Sequence, residues 1–318
     1  MPKKTDQQWL RDQLDFVCSQ ADKVSHIEPA RAQTYGLHTA LKLGALNHSL
    51  NVFLPIARNQ IDEKHTFGGA VYVDLFAGSG LTRVAETGDL VAGSPIIAAG
   101  NRRSFDQIIC IEDDKETQAV LEQRLSEFRN RMYTILRGDC NEIAPTLHRY
   151  LRFGNPLAFV FIDPEGMEIK WRTLEALSRQ FPYMDILMNF TYGAQRVLGD
   201  IRGGRTVNEQ VMDEFAGPGW PMLLLSEDDT VVNFVEGKIA TTLGRPLGDK
   251  VLVRDASNRQ RYFLMVRMRR TGGGTPFLRG YIDMLRRISR LTVEDVRGVL
   301  NDRFGRSLTS FETSRRDD

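Results

Sequence analysis

At 318 residues, with 42% hydrophobic and 26% charged side chains, the chain is sized for one elaborated α/β domain or two modest ones. A formal net charge of +1 supplies no global attraction to nucleic acid, so any anion-binding surface has to be local. Three cysteines without a Cys-x-x-Cys pair argue against a disulfide framework or a structural zinc site, and five histidines without ligand spacing predict no metal.

The opening MPKKTDQQWLRDQ has no apolar stretch behind its lysines, which argues against a signal peptide. No window approaches the roughly 18 uncharged apolar residues of a membrane span. The expectation is a cytoplasmic protein without a membrane partner.

A helix is predicted from Gln7 to about Cys18, and a long amphipathic one over 34–60, where Leu37, Leu41, Ala45, Leu46, Leu50, Phe53 and Leu54 recur at helical spacing. Strand-like runs follow at 71–75, 107–112, 132–136, 157–163 and 184–190, with helical patterns at 115–128, 143–151 and 171–181. Strands alternating with helices argue a parallel, doubly wound sheet. Residues 191–250 read as helical and irregular, and the part from 200 to 250 is expected to act as an insertion that shapes acceptor choice. Two further runs, 251–255 and 261–269, make an antiparallel hairpin. The order is that of a Rossmann-like class I methyltransferase fold: a mostly parallel seven-stranded sheet with an antiparallel last strand. A final helix at 291–304 is capped by Thr292, with Asp295 three residues on. The division that results is an N-terminal helical extension (1–66), the sheet domain (67–270) and a C-terminal helical extension and tail (271–318).

The stretch VYVDLFAGSG (71–80) ends a buried strand in an acid and turns through Gly78 and Gly80. A dinucleotide turn wants a third glycine, but Arg83 stands there, and the next strand-end acid, Glu112, comes 32 residues after Gly80. Asp74 would repel a pyrophosphate and attract the sulfonium and ammonium charges of S-adenosylmethionine (SAM). Glu112 is then placed to accept from ribose hydroxyls and Asp139 from the adenine amine, with Phe76 and Cys140 beside them; Asp163 ends the fourth strand at the ligand-binding edge. Each acid is also an ordinary turn or cap residue. The product of such a site is S-adenosylhomocysteine (SAH).

HTALKLGALNHSLNVFLPI, VDLFAGSG, GSPIIA (93–98), FIDPEGMEIKWRTLEAL and DILMNFTYGAQR, in that order over about 34–200, resemble the three-Cys-motif partner protein family. That family is regarded as a class I SAM-dependent methyltransferase relative from bacterial neighbourhoods that share a protein carrying three cysteines. The resemblance implies Asp74, Gly78 and Gly80 as cofactor-loop residues, Asp163-Pro164 as the catalytic edge, and a three-cysteine protein as a partner. Glu165 stands where an aromatic residue is expected.

Methyl transfer is an in-line displacement, so a site for it must align a nucleophile and exclude water. Asp163, Pro164, Glu165 and Asn189 are the catalytic candidates, and Phe190, Tyr192 and Arg196 the substrate-binding ones, for an amine on a nucleic acid or nucleotide. Trp171 is a further stacking candidate or a core residue. Glu165 reads equally as a base or as a solvated acid near a helix start. No cysteine lies between 141 and 318, which rejects a C5-cytosine mechanism. Arg202 and Arg205, and the arginines at 267, 269, 270, 279, 286, 287 and 290, are candidates for phosphate contacts or a solvated face. His38 and Lys42 share a helix face and read as surface or site. The segment 83–93 separates the glycine turn from a helix expected to start with Ser94 as N-cap, and is predicted to form a lobe over the cofactor or at the substrate mouth. Two alternatives remain: a SAM-binding, non-catalytic subunit of a complex, and a nicotinamide-dependent oxidoreductase, which would bind NAD(H) and not SAH.

Overall fold

A computed structural model describes residues 4–129, 131–205, 209–225, 230–269 and 275–305. In chain order the elements are α1 (Asp6–Val24), β1 (Gln33–Tyr35), α2 (Leu37–Arg58), β2 (Ala70–Asp74), β3 (Leu81–Val84), β4 (Leu90–Ala92) and α3 (Ser94–Gly100). Then come β5 (Gln107–Glu112), α4 (Lys115–Ser126), β6 (Tyr133–Arg137), α5 (Cys140–Ile143), β7 (Leu157–Ile162), α6 (Trp171–Gln180) and β8 (Met184–Thr191). The chain continues through α7 (Gly193–Arg202), α8 (Glu209–Ala216), α9 (Val231–Thr241), β9 (Leu247–Arg254), β10 (Gln260–Met268), α10 (Thr275–Ile288) and α11 (Val293–Arg303).

The main sheet has seven strands in the order β6-β5-β2-β7-β8-β10-β9. Every pair up to β8 is parallel, and β10 runs antiparallel to both β8 and β9. This is the doubly wound sheet with one inserted antiparallel strand that the sequence predicts. The order reverses between β2 and β7, and such a switch point opens a crevice at the carboxyl ends of the strands.

Period-two alternation divides the central strands between two cores. Tyr72, Phe159 and Phe161 face the layer of α1, α2, α3, α10 and α11, whereas Val71, Val73, Val160 and Ile162 face α5 to α9. Trp9 of α1 and Leu300 of α11 belong to the same buried cluster as Tyr72, so residues from both chain extensions share one core with the sheet. α11 opens with the expected capping box, Thr292 and Asp295 exchanging side-chain-to-backbone bonds.

Two features depart from expectation. Residues 83–93 are the greater part of a hairpin, β3 antiparallel to β4, and β3 pairs in parallel with β1. Apart from Gly93 these residues stay out of the large cleft; the hairpin instead braces β1 and, through Glu86, accepts the Leu37 N–H at the start of α2 (3.0 Å). The N-cap of α3 is Gly93 and not Ser94, whose hydroxyl interacts with Asp74 and Tyr72 below the turn.

Candidate active site

One cleft of about 1260 Å³ opens at the carboxyl ends of β2, β5, β7 and β8. One of its sides is the turn after β2. Gly78 and Gly80 have φ of +59° and +77°, the left-handed region that glycine enters without penalty. A Cβ on Gly80 would lie 2.9 Å from Ile96 and Leu121, and one on Gly93 would lie 2.8 Å from the Gly80 carbonyl carbon. The glycines therefore let the turn pack on α3 and α4 as well as curve.

Glu112 holds this turn from the end of β5. Its Oε2 accepts the Gly78 N–H (2.8 Å) and its Oε1 the Asp114 N–H (3.0 Å), which leaves a second lone pair on each oxygen for a ligand. Burial raises its pKa above the usual carboxylate value. Asp139 caps α5, and both of its bonds from Asn141 (each 2.8 Å) fall on Oδ1. Phe76 and Cys140 line the same side; burial pushes the Cys140 thiol up to about 12, so it is no nucleophile at neutral pH.

Asp74 is placed differently from expectation. It is fully buried beneath the turn and does not line the cleft. Its carboxyl accepts from the Tyr72 hydroxyl (3.0 Å) and the Phe76 N–H (3.3 Å), and burial pushes its pKa up to about 7. Asp74 thus braces the turn and offers no exposed counter-charge to a cationic ligand.

The floor of the opposite side is built around Asp163. Lys42, from α2, reaches both carboxylate oxygens (2.7 and 2.6 Å), and Asn189 Nδ2 donates to Oδ1 (2.8 Å). Because a carboxylate only accepts, this bond fixes the Asn189 amide with its own Oδ1 as the acceptor. That oxygen is buried and has no hydrogen-bond partner, in a residue 8% exposed that lines the cleft. A buried orphan acceptor costs about 1–3 kcal/mol unless something donates to it. Pro164 and Glu165 follow Asp163 into the cleft, and Glu165 accepts from the Tyr35 hydroxyl of β1 (2.6 Å).

Of the substrate candidates, Tyr192 and Arg196 line the cleft and Phe190 does not. Phe190 is 2% exposed and packs on Phe215, because its position in β8 points into the core shared with α5 to α9, the lower core as the cleft is viewed from above. Trp171 is likewise core, with Lys238 stacked over its ring at 4.0 Å. Arg202 donates to the Leu223 carbonyl, Arg205 pairs with Asp200, and buried Arg267 pairs with Glu236. Arg269 lies over Tyr183, Arg286 pairs with Asp283, and Arg287 and Arg290 pair with Asp6; none of these seven lines the cleft. Arg279 is also absent from it, and Arg270 falls outside the described residues. None of the described residues between 200 and 250 lines it either, since α8 and α9 pack on the lower core.

His38 and Lys42, which the sequence left between surface and site, belong to the site, and Tyr35 and Tyr262 are site residues that it did not single out. The only signal for the first two was their i, i+4 spacing. His38 lines the cleft, and burial beside the Lys42 and Arg261 charges pushes it down to about 4, so it is neutral at pH 7. Among the described residues no group of three or more His, Cys, Asp or Glu side chains is gathered to hold a metal, and no helix is long and apolar enough to cross a membrane.

No protein-family model matches the sequence, and no curated protein matches it. Among solved structures, it is similar to protein LPL1258 of Legionella pneumophila, with 12% identity, coverage of 77% of this chain and 94% of that one, and a TM-score of 0.43. It is also similar to an O-methyltransferase from Bacillus cereus in complex with SAH, with 12% identity, coverage of 85% and 93%, and a TM-score of 0.38. A third is an rRNA methylase from Streptococcus thermophilus, with 12% identity, coverage of 63% and 87%, and a TM-score of 0.33. The fold rests on the strand order and not on these likenesses, whose TM-scores are all below 0.5.

Proposed function

We propose that the chain is a SAM-dependent methyltransferase of the three-Cys-motif partner kind, acting on an amine of a nucleic-acid or nucleotide acceptor. The observation that carries this reading is the joint lining of one cleft. A glycine turn with Glu112 and Asp139 stands on one side, and the Asp163–Asn189 pair with its orphan acceptor on the other.

The residues present fit SAM: the turn brings backbone close, and Glu112, already held by two N–H donors, keeps lone pairs for a ribose diol. Asp139 is left with Oδ2 for an adenine amine. When bound, SAM supplies a methyl group on a sulfonium, ready for in-line displacement. Asn189 Oδ1 takes one N–H of the acceptor amine, which relieves its own unpaired burial and turns the nitrogen lone pair toward the methyl. Asp163 holds the Asn189 amide in that orientation, and Lys42 holds Asp163. In such a transfer the nitrogen would take the methyl as the methyl–sulfur bond breaks and SAH is left, and the proton the nitrogen then sheds would pass to solvent through the open cleft. Pro164 is buried beside Asp163 and stiffens its backbone. Glu165 is tied to Tyr35 and closes the wall.

The test is calorimetric titration with SAH, beside Glu112→Ala, followed by transfer of labelled methyl from SAM to RNA, DNA and nucleotides. Binding that the variant weakens at least tenfold is expected; a well-folded chain that binds NAD(H) and not SAH overturns the reading.

A second reading rests on Lys42. Because both Asp163 oxygens are engaged by it, the resting cleft on this reading awaits a partner, such as a three-cysteine protein, that draws the Lys42 side chain off Asp163. SAH binding without transfer until the partner is added would favour this reading.

A further inference from the structure

The cleft divides its charges. Beyond Asn189 the rim is basic: Arg196 at the start of α7, and Arg254, Arg259 and Arg261 on the hairpin that joins β9 to β10. The cofactor side carries Glu112, Asp113 and Asp139 instead. With a chain net charge of +1, this basic rim is a local arrangement and not an overflow of global charge.

The rim is also built. Asp255 fixes the hairpin turn, its Oδ1 accepting from the Ser257 and Arg259 N–H groups (2.9 Å each). Its Oδ2 accepts from Arg261 (2.7 Å) and lies 3.6 Å from Arg259, so one acid orients two guanidinium groups. Arg254 donates to the Asn258 carbonyl (3.1 Å), and no carboxylate among the described residues pairs with it. Arg196 is exposed, and its side chain has neither an ion pair nor a hydrogen bond among the described residues. Tyr192 stands between this rim and the floor, its N–H donating to the Arg261 carbonyl (3.2 Å).

We propose that this rim binds the phosphates of a single-stranded nucleic acid, with Arg196 and Arg254 the principal contacts and Tyr192 the face against which the methylated base lies. The proposal rests on the methyl-transfer reading of the same cleft. Guanidinium forks without a carboxylate partner suit phosphate oxygens, and an aromatic ring accepts any base. A single strand is favoured because Asn189 sits on the cleft floor, which a base reaches from a single strand without the cost of unstacking and unpairing it from a duplex. Phosphates on the rim and an amine at Asn189 then belong to one ligand.

The experiment measures fluorescence anisotropy of a labelled mixed-sequence 12-nucleotide RNA, and of the DNA of the same sequence, in the presence of SAH. Unlabelled mononucleotides and duplex serve as competitors. The expected result is strand binding that mononucleotides and duplex compete for poorly. The doubly substituted Arg196→Gln/Arg254→Gln chain is expected to bind roughly twentyfold more weakly at 0.1 M salt, with a salt slope smaller by about 1.4. Calorimetry with SAH on the same variant shows whether the fold and the cofactor side still stand. Strand binding unchanged in the variant, or mononucleotides competing as well as the strand, overturns the proposal. SAH failing to bind the parent chain while the strand still binds it through these arginines overturns the methyl-transfer reading and leaves the phosphate rim.

Discussion

The two sides of the cleft are built by different means. The glycine turn, Glu112 and Asp139 come from consecutive β-α units, and the two acids accept from nearby backbone N–H groups and, at Asp139, also from the Asn141 side-chain amide. The Asp163 floor is assembled from α2, β7 and β8, with Tyr35 of β1 and the β9–β10 hairpin around it. The first side depends on backbone conformation and tolerates almost no added atom. The second depends on side chains from distant segments and can be retuned by substitution. A chain organised this way can hold one ligand firmly while its acceptor side diverges.

Substitution in the turn should show the largest effect. Gly80→Ala places a Cβ against Ile96 at a positive φ, and is expected to cost about 3 kcal/mol and to abolish SAH binding, read by urea unfolding and calorimetry. Wild-type affinity in that variant would break the comparison at its rigid end.

Asp74 sharpens the same side through pH. Its folded pKa of about 7 lies above the usual 3.8, so between these values the native state holds a proton that the unfolded chain has released. Stability from this group is therefore present at low pH and declines by about 2 kcal/mol from pH 5 to pH 7. Asp74→Asn should remove this decline, leaving over that window a fall from buried Asp185 in the same direction and an opposing rise from His38, whose folded pKa is depressed. SAH affinity should change only a few-fold, because Asp74 does not face the cleft.

On the other side, Lys42→Met and Asp163→Asn should each destabilise, and their double-mutant cycle should show a coupling of about 1.5 kcal/mol for a pair whose side chains are 9% and 19% exposed. A coupling near zero would mean that the pair does not hold the floor. The smallest effect is expected from Tyr35→Phe, about 0.5 kcal/mol, since the Glu165 it bonds is exposed. Its unfolding midpoint in urea gives the comparison.

The sheet was legible because each strand carries its own period. The predicted run 107–112 is β5 to the residue, and the hairpin at the sheet edge declared itself by alternation and a polar turn. β1, β3 and β4 were not legible: strands of three or four residues have no period, and β1 pairs with β3 from a segment about 50 residues away. Phe190 shows the opposite failure, where one residue beside Asn189 suggested proximity although successive strand residues face opposite layers.

By itself the sequence determined the fold class, the glycine turn and the acids at the ends of β5 and β7, because these follow from local periodicity and backbone geometry. Only the tertiary structure decided that Asp74 braces the turn from beneath and does not line the cleft, that Lys42 closes on Asp163, and that Asn189 keeps an unpaired oxygen. It also decided which arginines reach the rim. Each of these is a contact between segments far apart in the chain, or a side chain's choice between two faces, and neither leaves a mark in the spacing of residues.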